Sequence, residues 1–281
     1  MKAPLAILLW LFSSVVLAAP QASSSPNEVR KQWRITLPFW VFRGEWRSPT
    51  TLKAQGGFIP YSISPPTEKG YGLLNHQQNK VLDAQGHKDT VYVSTSALFD
   101  AAAKFACTMS NGGYLLGGRN RFVYLIHASP NMISMTESLL QFDDFPGEEE
   151  FTAMGGILWE QVYGWVRLPD TYRAIDPEKT RHGHSSFYDM VRGHFSFNPD
   201  YNSNKFKDQP ASGGQFRLAG VPKSEWPWSH YQQKSMRDAA LDFMDQVGWV
   251  VDWQGDFPLI APRPGVTSSE NADDPSTWLD K

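Results

Sequence analysis

The segment that decides the fold is residues 34–60, RITLPFWVFRGEWRSPTTLKAQGGFIP. Apolar side chains alternate or run together over 34–42, which predicts a β-strand that leads into the charged residues 43–47. Ser48 is a good helix N-cap and Gly56-Gly57 a good helix stop, so a short helix is predicted at 48–55. The segment thus pairs one strand with one short helix.

The rest of the chain continues this alternation. The β-rich residues 91–95 precede a helix-like stretch at 97–108, and 122–128 form a second strongly apolar strand. Gly155-Gly156 interrupts the chain before an aromatic strand region at 157–167. A further helix is predicted at 231–246, where the apolar residues share one face. Strands and short helices joined by long loops predict an α+β fold.

The two ends of the chain have a different composition. Residues 1–19 hold one lysine, a largely apolar run and small residues at the exit, which is typical of a secretory signal peptide. The apolar run is shorter than the roughly 20 residues of a spanning helix. We therefore expect a secreted, extracellular protein without stable membrane insertion. Residues beyond 262, rich in Pro, Gly, Ser and Asp, predict a flexible tail.

The composition argues against several classes of function. A net charge of −3 over 281 residues gives no basic footprint for nucleic acid. Cys107 is the only cysteine, so no intrachain disulfide can form, and the seven histidines show no zinc signature. No metal is therefore expected. Eleven tryptophans would suit a carbohydrate-binding module, although tryptophans are more often core or strand-face residues.

Four short patterns carry polar groups of chemical interest. They contain Arg43, His76, Ser94 and the pair Glu148 and Glu150. Each pattern alone is weak, since an arginine at a strand end and an acidic turn are usually solvated surface. Together they suit cleavage of the nicotinamide–ribose bond of NAD. One carboxylate faces the positive charge that develops on the ribose, a second faces the nucleophile, and an arginine fork binds the pyrophosphate.

Several ordered segments resemble the catalytic chains of the cholera and heat-labile enterotoxins, the enterotoxin A family. They are residues 42–60, YVSTS at 92–96, FVYLIHASPNM at 122–132 and PGEEEFTAMGGI at 146–157. The likeness spans 34–230. It implies the ADP-ribosyltransferase toxin fold, two packed β-sheets with short helices, for a domain at 20–230. A C-terminal helix and flexible tail at 231–281 would follow this domain.

The resemblance implies a secreted mono-ADP-ribosyltransferase toxin that uses NAD as substrate. Arg43 would bind NAD with His76, and Ser94 would steady the same site beside the catalytic carboxylate. Glu150 corresponds to the essential glutamate and Glu148 to the glutamate that orients or deprotonates the acceptor. Glutamate at both positions implies that the acceptor is an arginine of a host target protein, with G proteins among the candidates.

Two alternatives share this site. An NAD glycohydrolase would pass the ribose to water and would need Glu150 more than Glu148, and a catalytically silent binding protein would keep only the scaffold. The family joins its catalytic fragment to a C-terminal peptide by a disulfide, and this chain lacks the cysteines. A receptor-binding partner chain is therefore left open.

Two local expectations complete the analysis. Residues 61–80, rich in Ser, Pro and Gly, predict a mobile loop that covers the site as a lid. Glu149 is expected to point away from the site because neighbouring side chains alternate in an extended segment.

Overall fold

The computed structural model describes residues 37–61, 66–78, 88–111, 121–173, 194–222, 224–231 and 234–260. The predicted signal peptide at 1–19 and the predicted tail beyond 262 lie outside these residues. Both of them, and the domain limits drawn from the sequence, stay predictions. None of the helices within the described residues is long and apolar enough to cross a membrane.

Nine described strands form two sheets. They are β1 (Trp40–Glu45), β2 (Gly57–Phe58), β3 (Tyr92–Ser96), β4 (Phe122–His127), β5 (Met132–Ser134), β6 (Glu150–Met154), β7 (Ile157–Leu158), β8 (Val162–Arg167) and β9 (Phe195–Phe197). The large sheet has the order β5-β6-β3-β1-β4-β8-β9, and β2 pairs with β7 in the small one. All pairings between these strands are antiparallel. The predicted α+β class is confirmed.

The first strand lies further along the chain than the sequence predicted. β1 begins at Trp40 rather than 34 and continues through the charged residues to Glu45. Its alternate side chains Val41, Arg43 and Glu45 are buried, and Val41 shares a core with Phe58 of the small sheet. The two sheets therefore pack together at the strand that carries Arg43.

Six described helices surround the sheets. They are α1 (Pro49–Gln55), α2 (Leu73–Gln78), α3 (Phe99–Asn111), α4 (Met135–Leu139), α5 (Ser203–Phe206) and α6 (Met236–Val247). The prediction for α1 is confirmed: the Ser48 hydroxyl accepts from the Thr51 amide, and Gly56 ends the helix with φ 86°. α3 packs tightly on β1, because a Cβ at Gly44 would lie 2.0 Å from the Ala102 carbonyl oxygen.

The predicted lid is largely a fixed wall. A 3₁₀ helix at Glu68–Tyr71 and then α2 occupy most of it, and Tyr71 and Leu73 are almost fully buried. The prediction of a mobile loop is wrong here because these apolar side chains join a core shared with α6. Residues 62–65 and 79–80 of the predicted lid lie outside the described residues.

The C-terminal helix packs on the wall that contains α2. α6 begins at Met236 rather than 231, because the Ser235 hydroxyl accepts from the Asp238 amide as an N-cap. The Glu68 carboxylate accepts from the amide of Met236, and Phe243 and Met244 lie in one core with Tyr92 of β3. α6 is thus part of the folded unit that contains the large sheet.

Candidate active site

The five candidate side chains from the sequence line one cleft of about 390 Å³. β1 contributes Arg43, α2 contributes His76 and β3 contributes Ser94. Glu148 and Glu150 come from a turn and from the start of β6. Residues distant in sequence meet here because β3 pairs with β1 on one side and with β6 on the other.

Arg43 is buried and held by three contacts. Its Nη1 donates to the Ser94 carbonyl oxygen at 2.6 Å, and Nη2 lies 3.5 Å from the Glu45 carboxylate. The guanidinium carbon lies 5.5 Å from the Phe58 ring centroid. Its Nε is also buried, and no described residue gives it a hydrogen-bond partner. The fork is fixed in place while one donor stays available.

Glu45 balances the charge of two arginines, and the sequence analysis did not single it out. Its carboxylate accepts from Arg47 Nη2 at 2.6 Å and from the Trp46 amide at 3.0 Å. Burial by itself raises the pKa of Glu45, but the charges of Arg47 and Arg43 outweigh it and lower the pKa to about 2. Charges at positions 43, 45 and 47 share one side of an extended strand, and this period is the signal that could have found Glu45.

His76 is hydrogen-bonded at both ring nitrogens. Nε2 lies 2.9 Å from Ser94 Oγ and 3.3 Å from Thr152 Oγ1. Nδ1 lies 2.8 Å from Thr90 Oγ1. The imidazole also packs against the Tyr92 ring, with 5.4 Å between the ring centroids. These contacts fix the orientation of the histidine at the inner end of the cleft.

Glu150 opens β6 and carries an unpaired carboxylate oxygen. The β3–β6 register sets Glu150 opposite Ser96 and Thr152 opposite Ser94, so all four lie close together. Glu150 Oε1 is 3.7 Å from His76 Nε2, and it is buried without a hydrogen-bond partner among the described residues. Because a buried polar atom is normally paired, this oxygen marks where a donor from a bound molecule would lie.

Glu148 ends a 3₁₀ turn at Pro146–Glu148 and lines the same cleft. The Ser96 hydroxyl donates to its carbonyl oxygen at 2.6 Å, which ties the turn to β3. Burial of the Glu148 carboxyl, followed by the negative charge of Glu150, raises the pKa of Glu148 above its ordinary value. Lys104 acts in the opposite direction but does not cancel the rise.

Glu149 does not line the cleft, although the reasoning from an extended segment was wrong. Its backbone is left-handed, with φ 44° and ψ 52°, so the turn is not extended at this point. Its carbonyl oxygen accepts from the Ala97 amide at 3.1 Å. The turn therefore separates Glu148 from Glu150 by a local kink rather than by alternation.

Three polar residues of the site were missed from the sequence: Thr90, Thr152 and Lys88. Thr90 and Thr152 contact His76, and Lys88 lines the cleft with its Nζ 5.4 Å from the Tyr61 ring centroid. Isolated threonines and a loop lysine carry no pattern that would mark them. Within the described ranges, no group of three or more His, Cys, Asp or Glu is placed to hold a metal ion.

Proteins of known function are similar to this chain in sequence. The catalytic chain of the cholera enterotoxin of Vibrio cholerae serotype O1 is 29% identical over 68% of this chain and 69% of its own length. The NAD(+)–arginine ADP-ribosyltransferase Chelt of Vibrio cholerae is 30% identical over 44% of this chain and 20% of its own length.

The fold and the family agree with these relatives. A double mutant of heat-labile enterotoxin superposes with a TM-score of 0.54 at 20% identity, covering 73% of this chain and 89% of the other. This likeness confirms the predicted enterotoxin fold. The profile of the family described as heat-labile enterotoxin alpha chain matches residues 37–241. Because that match covers well over half of the sequence, the chain belongs to the heat-labile enterotoxin alpha chain family.

Proposed function

We propose that this chain is a secreted mono-ADP-ribosyltransferase that moves ADP-ribose from NAD to an arginine of a target protein. One observation carries the proposal: two buried polar atoms, Arg43 Nε and Glu150 Oε1, line one cleft without partners among the described residues. One is a donor on a cation and the other an acceptor on a carboxylate. A ligand with phosphate at one end and a ribose hydroxyl at the other would satisfy both.

Arg43 binds the pyrophosphate of NAD in this proposal. Its Nη1 and Nη2 are already directed by Ser94 and Glu45, so the guanidinium plane is set before the substrate arrives. The Nε that remains unpaired then donates to a phosphate oxygen. Lys88 lines the same cleft and adds a second positive charge. A preset fork loses little entropy on binding, which favours tight contact with a phosphate.

Glu150 acts on the ribose next to the bond that breaks. Its Oε1 accepts a hydrogen bond from a ribose hydroxyl, and its negative charge stabilises the positive charge that grows on the ribose as nicotinamide leaves with the bonding electrons. The carboxylate is mostly screened from water in the cleft, which strengthens this electrostatic effect. Glu150 is the group on which both transfer and hydrolysis depend.

Glu148 activates the acceptor. A protonated guanidinium is a poor nucleophile, so a base must take one proton as its nitrogen forms the new bond to the ribose carbon. The raised pKa of Glu148, caused by burial and then by Glu150, brings this carboxylate closer to neutral pH and makes it a better base. The proton from the acceptor therefore goes to Glu148.

Three further parts of the proposal concern the setting of the enzyme. Residues 1–19 act as a signal peptide for export, and the acceptor lies on a host protein, with G proteins as candidates. A receptor-binding partner chain would deliver the enzyme to the host cell. Support for these parts comes from the composition of the N-terminus and from the toxin relatives.

Radiolabelled NAD tests the proposal with agmatine as a small guanidine acceptor. Transfer to agmatine and release of nicotinamide are measured in parallel for Glu150→Gln and Glu148→Gln. Loss of the Glu150 charge should lower both activities by at least about a hundredfold, the scale for one electrostatic group in a site. Glu148→Gln should lower transfer far more than hydrolysis. Glu149→Gln is the matched control, since it removes the same charge from outside the cleft.

The outcomes separate the candidate functions. Transfer that Glu148→Gln removes while hydrolysis persists supports the transferase. Hydrolysis without transfer in the parent protein would identify an NAD glycohydrolase, and no turnover in the parent protein would identify a silent scaffold. Normal turnover in Glu150→Gln would contradict the assignment of this carboxylate.

A further inference from the structure

We propose that Thr90 is a positioning residue that fixes the tautomer of His76, so that the hydrogen on Nε2 faces Ser94 and Glu150. This inference rests on the proposed function, since its consequence is a site prepared for the ribose of NAD. It follows from the hydrogen-bonding capacity of three hydroxyl groups and one imidazole. None of these contacts was visible in the sequence.

Thr90 is almost fully buried and makes two hydrogen bonds through one oxygen. Its Oγ1 accepts from the Tyr92 amide at 3.2 Å and lies 2.8 Å from His76 Nδ1. A hydroxyl has one hydrogen to donate and two lone pairs. One lone pair is taken by the amide, so the direction of the bond to His76 depends on where the hydroxyl hydrogen goes.

Burial decides that direction. Among the described residues, His76 Nδ1 is the acceptor that the structure gives to the Thr90 hydroxyl hydrogen. If Nδ1 carried its own hydrogen, Thr90 would have to accept twice and its hydroxyl would be buried without an acceptor. An unmade hydrogen bond of this kind is costly. Thr90 therefore donates, Nδ1 accepts, and the imidazole hydrogen lies on Nε2.

The other side of the ring favours the same tautomer. Nε2 faces Ser94 Oγ at 2.9 Å, Thr152 Oγ1 at 3.3 Å and Glu150 Oε1 at 3.7 Å. A bare lone pair on Nε2 would face a carboxylate, which is repulsive, whereas an N–H directs positive charge toward it. The two hydroxyls can accept from this N–H. Both faces of His76 are thus consistent with one arrangement.

The ring cannot turn to escape this arrangement without losing packing. His76 is held on α2, and its ring lies against Tyr92, whose hydroxyl donates to the Tyr71 carbonyl oxygen at 2.7 Å. Tyr71 is buried under the same wall. Thr90 therefore controls the polarity of His76 through a rigid frame, and Glu150 gains a fixed dipole beside the oxygen that receives the ribose hydroxyl.

The test compares Thr90→Val with Thr90→Ser. Valine keeps the branched shape and removes the hydroxyl, whereas serine keeps the hydroxyl. We expect Thr90→Val to lower kcat for NAD cleavage about tenfold, the effect of one lost hydrogen bond, and to change KM by less than about threefold. Thr90→Ser should keep kcat within about threefold of the parent. Thermal unfolding shows whether each variant is folded.

Nitrogen-15 NMR of histidine side chains reads the tautomer directly and does not depend on activity. The His76 signals are assigned by their loss in His76→Gln, at pH ~8, above the ordinary pKa of histidine. The parent protein and Thr90→Ser should show the hydrogen on Nε2, and Thr90→Val should show a mixture. A hydrogen on Nδ1 in the parent, or an unchanged kcat in folded Thr90→Val, would overturn the proposal. If the parent shows the Nε2 hydrogen but cleaves no NAD, the tautomer assignment stands and the proposed function is the part that fails.

Discussion

Replacing Glu45 by Gln removes the charge that balances two arginines and keeps the shape of the side chain. Glu45 is 3% exposed, its carboxylate is 2.6 Å from Arg47 Nη2, and it lies 3.5 Å from Arg43 Nη2. The variant leaves both guanidinium groups in the interior without a counter-charge. Breaking a buried ion pair from one side is strongly destabilising. We therefore expect a less stable protein in which Arg43 is also less well fixed.

The lowered pKa of Glu45 gives the magnitude. A fall from 4.5 to about 2 corresponds to ~3 kcal/mol of stabilisation at ~1.4 kcal/mol per pKa unit. Since the pKa is lower in the folded chain than in the unfolded chain, this stabilisation is complete above pH 4.5 and is lost as the pH falls toward 2. The stability difference between parent and variant should therefore shrink on acidification.

Urea unfolding followed by circular dichroism measures both effects. At neutral pH we expect Glu45→Gln to lower the free energy of unfolding by about 3 kcal/mol, with a smaller difference at pH ~3. Glu225→Gln is the matched control, since it removes the same charge from an exposed side chain and should change stability little. A variant as stable as its parent at neutral pH, or a difference that grows in acid, would refute the reasoning about the ion pair.

Two further predictions concern the turn and the C-terminal helix. Because the pKa of Glu148 is raised by burial and then by Glu150, the ratio of agmatine transfer to NAD hydrolysis should fall on acidification at a pH above the ordinary 4.5 of a glutamate, and Glu148→Gln should remove this pH dependence. Ending the chain after residue 231 removes Phe243 and Met244 from the core that contains Tyr92, so the shortened protein should lose its cooperative thermal transition; a sharp transition would show that the sheet is stable without α6.

The sequence predicted those features that depend on neighbours in the chain. Ser48 and Gly56 bound α1 because caps act within one helical turn. Arg43, His76, Ser94, Glu148 and Glu150 were found through motifs of a few residues, and the sheet places all of them on one cleft. Short motifs were sufficient because β1, β3 and β6 lie side by side and each contributes its own segment.

Features that depend on contacts between distant segments were missed. The part of the predicted lid at 68–78 is fixed because Tyr71 and Leu73 meet α6, a partner that lies far along the chain. β1 extends to Glu45 because charges of opposite sign pair inside the sheet, where a charged run is normally taken as a strand end. Thr90 gained its place only from its distance to His76. Composition and period carry no information on such meetings.

The core that joins α6 to β3 also sets the order of events during synthesis. Tyr71, Leu73 and Tyr92 are made early, but the side chains that cover them, at 239–251, emerge from the ribosome much later. Contacts of long sequence separation form slowly because the chain must first close a large loop. The strand that carries Ser94 is therefore completed only after translation has passed residue 251, and a nascent chain has no finished cleft for NAD.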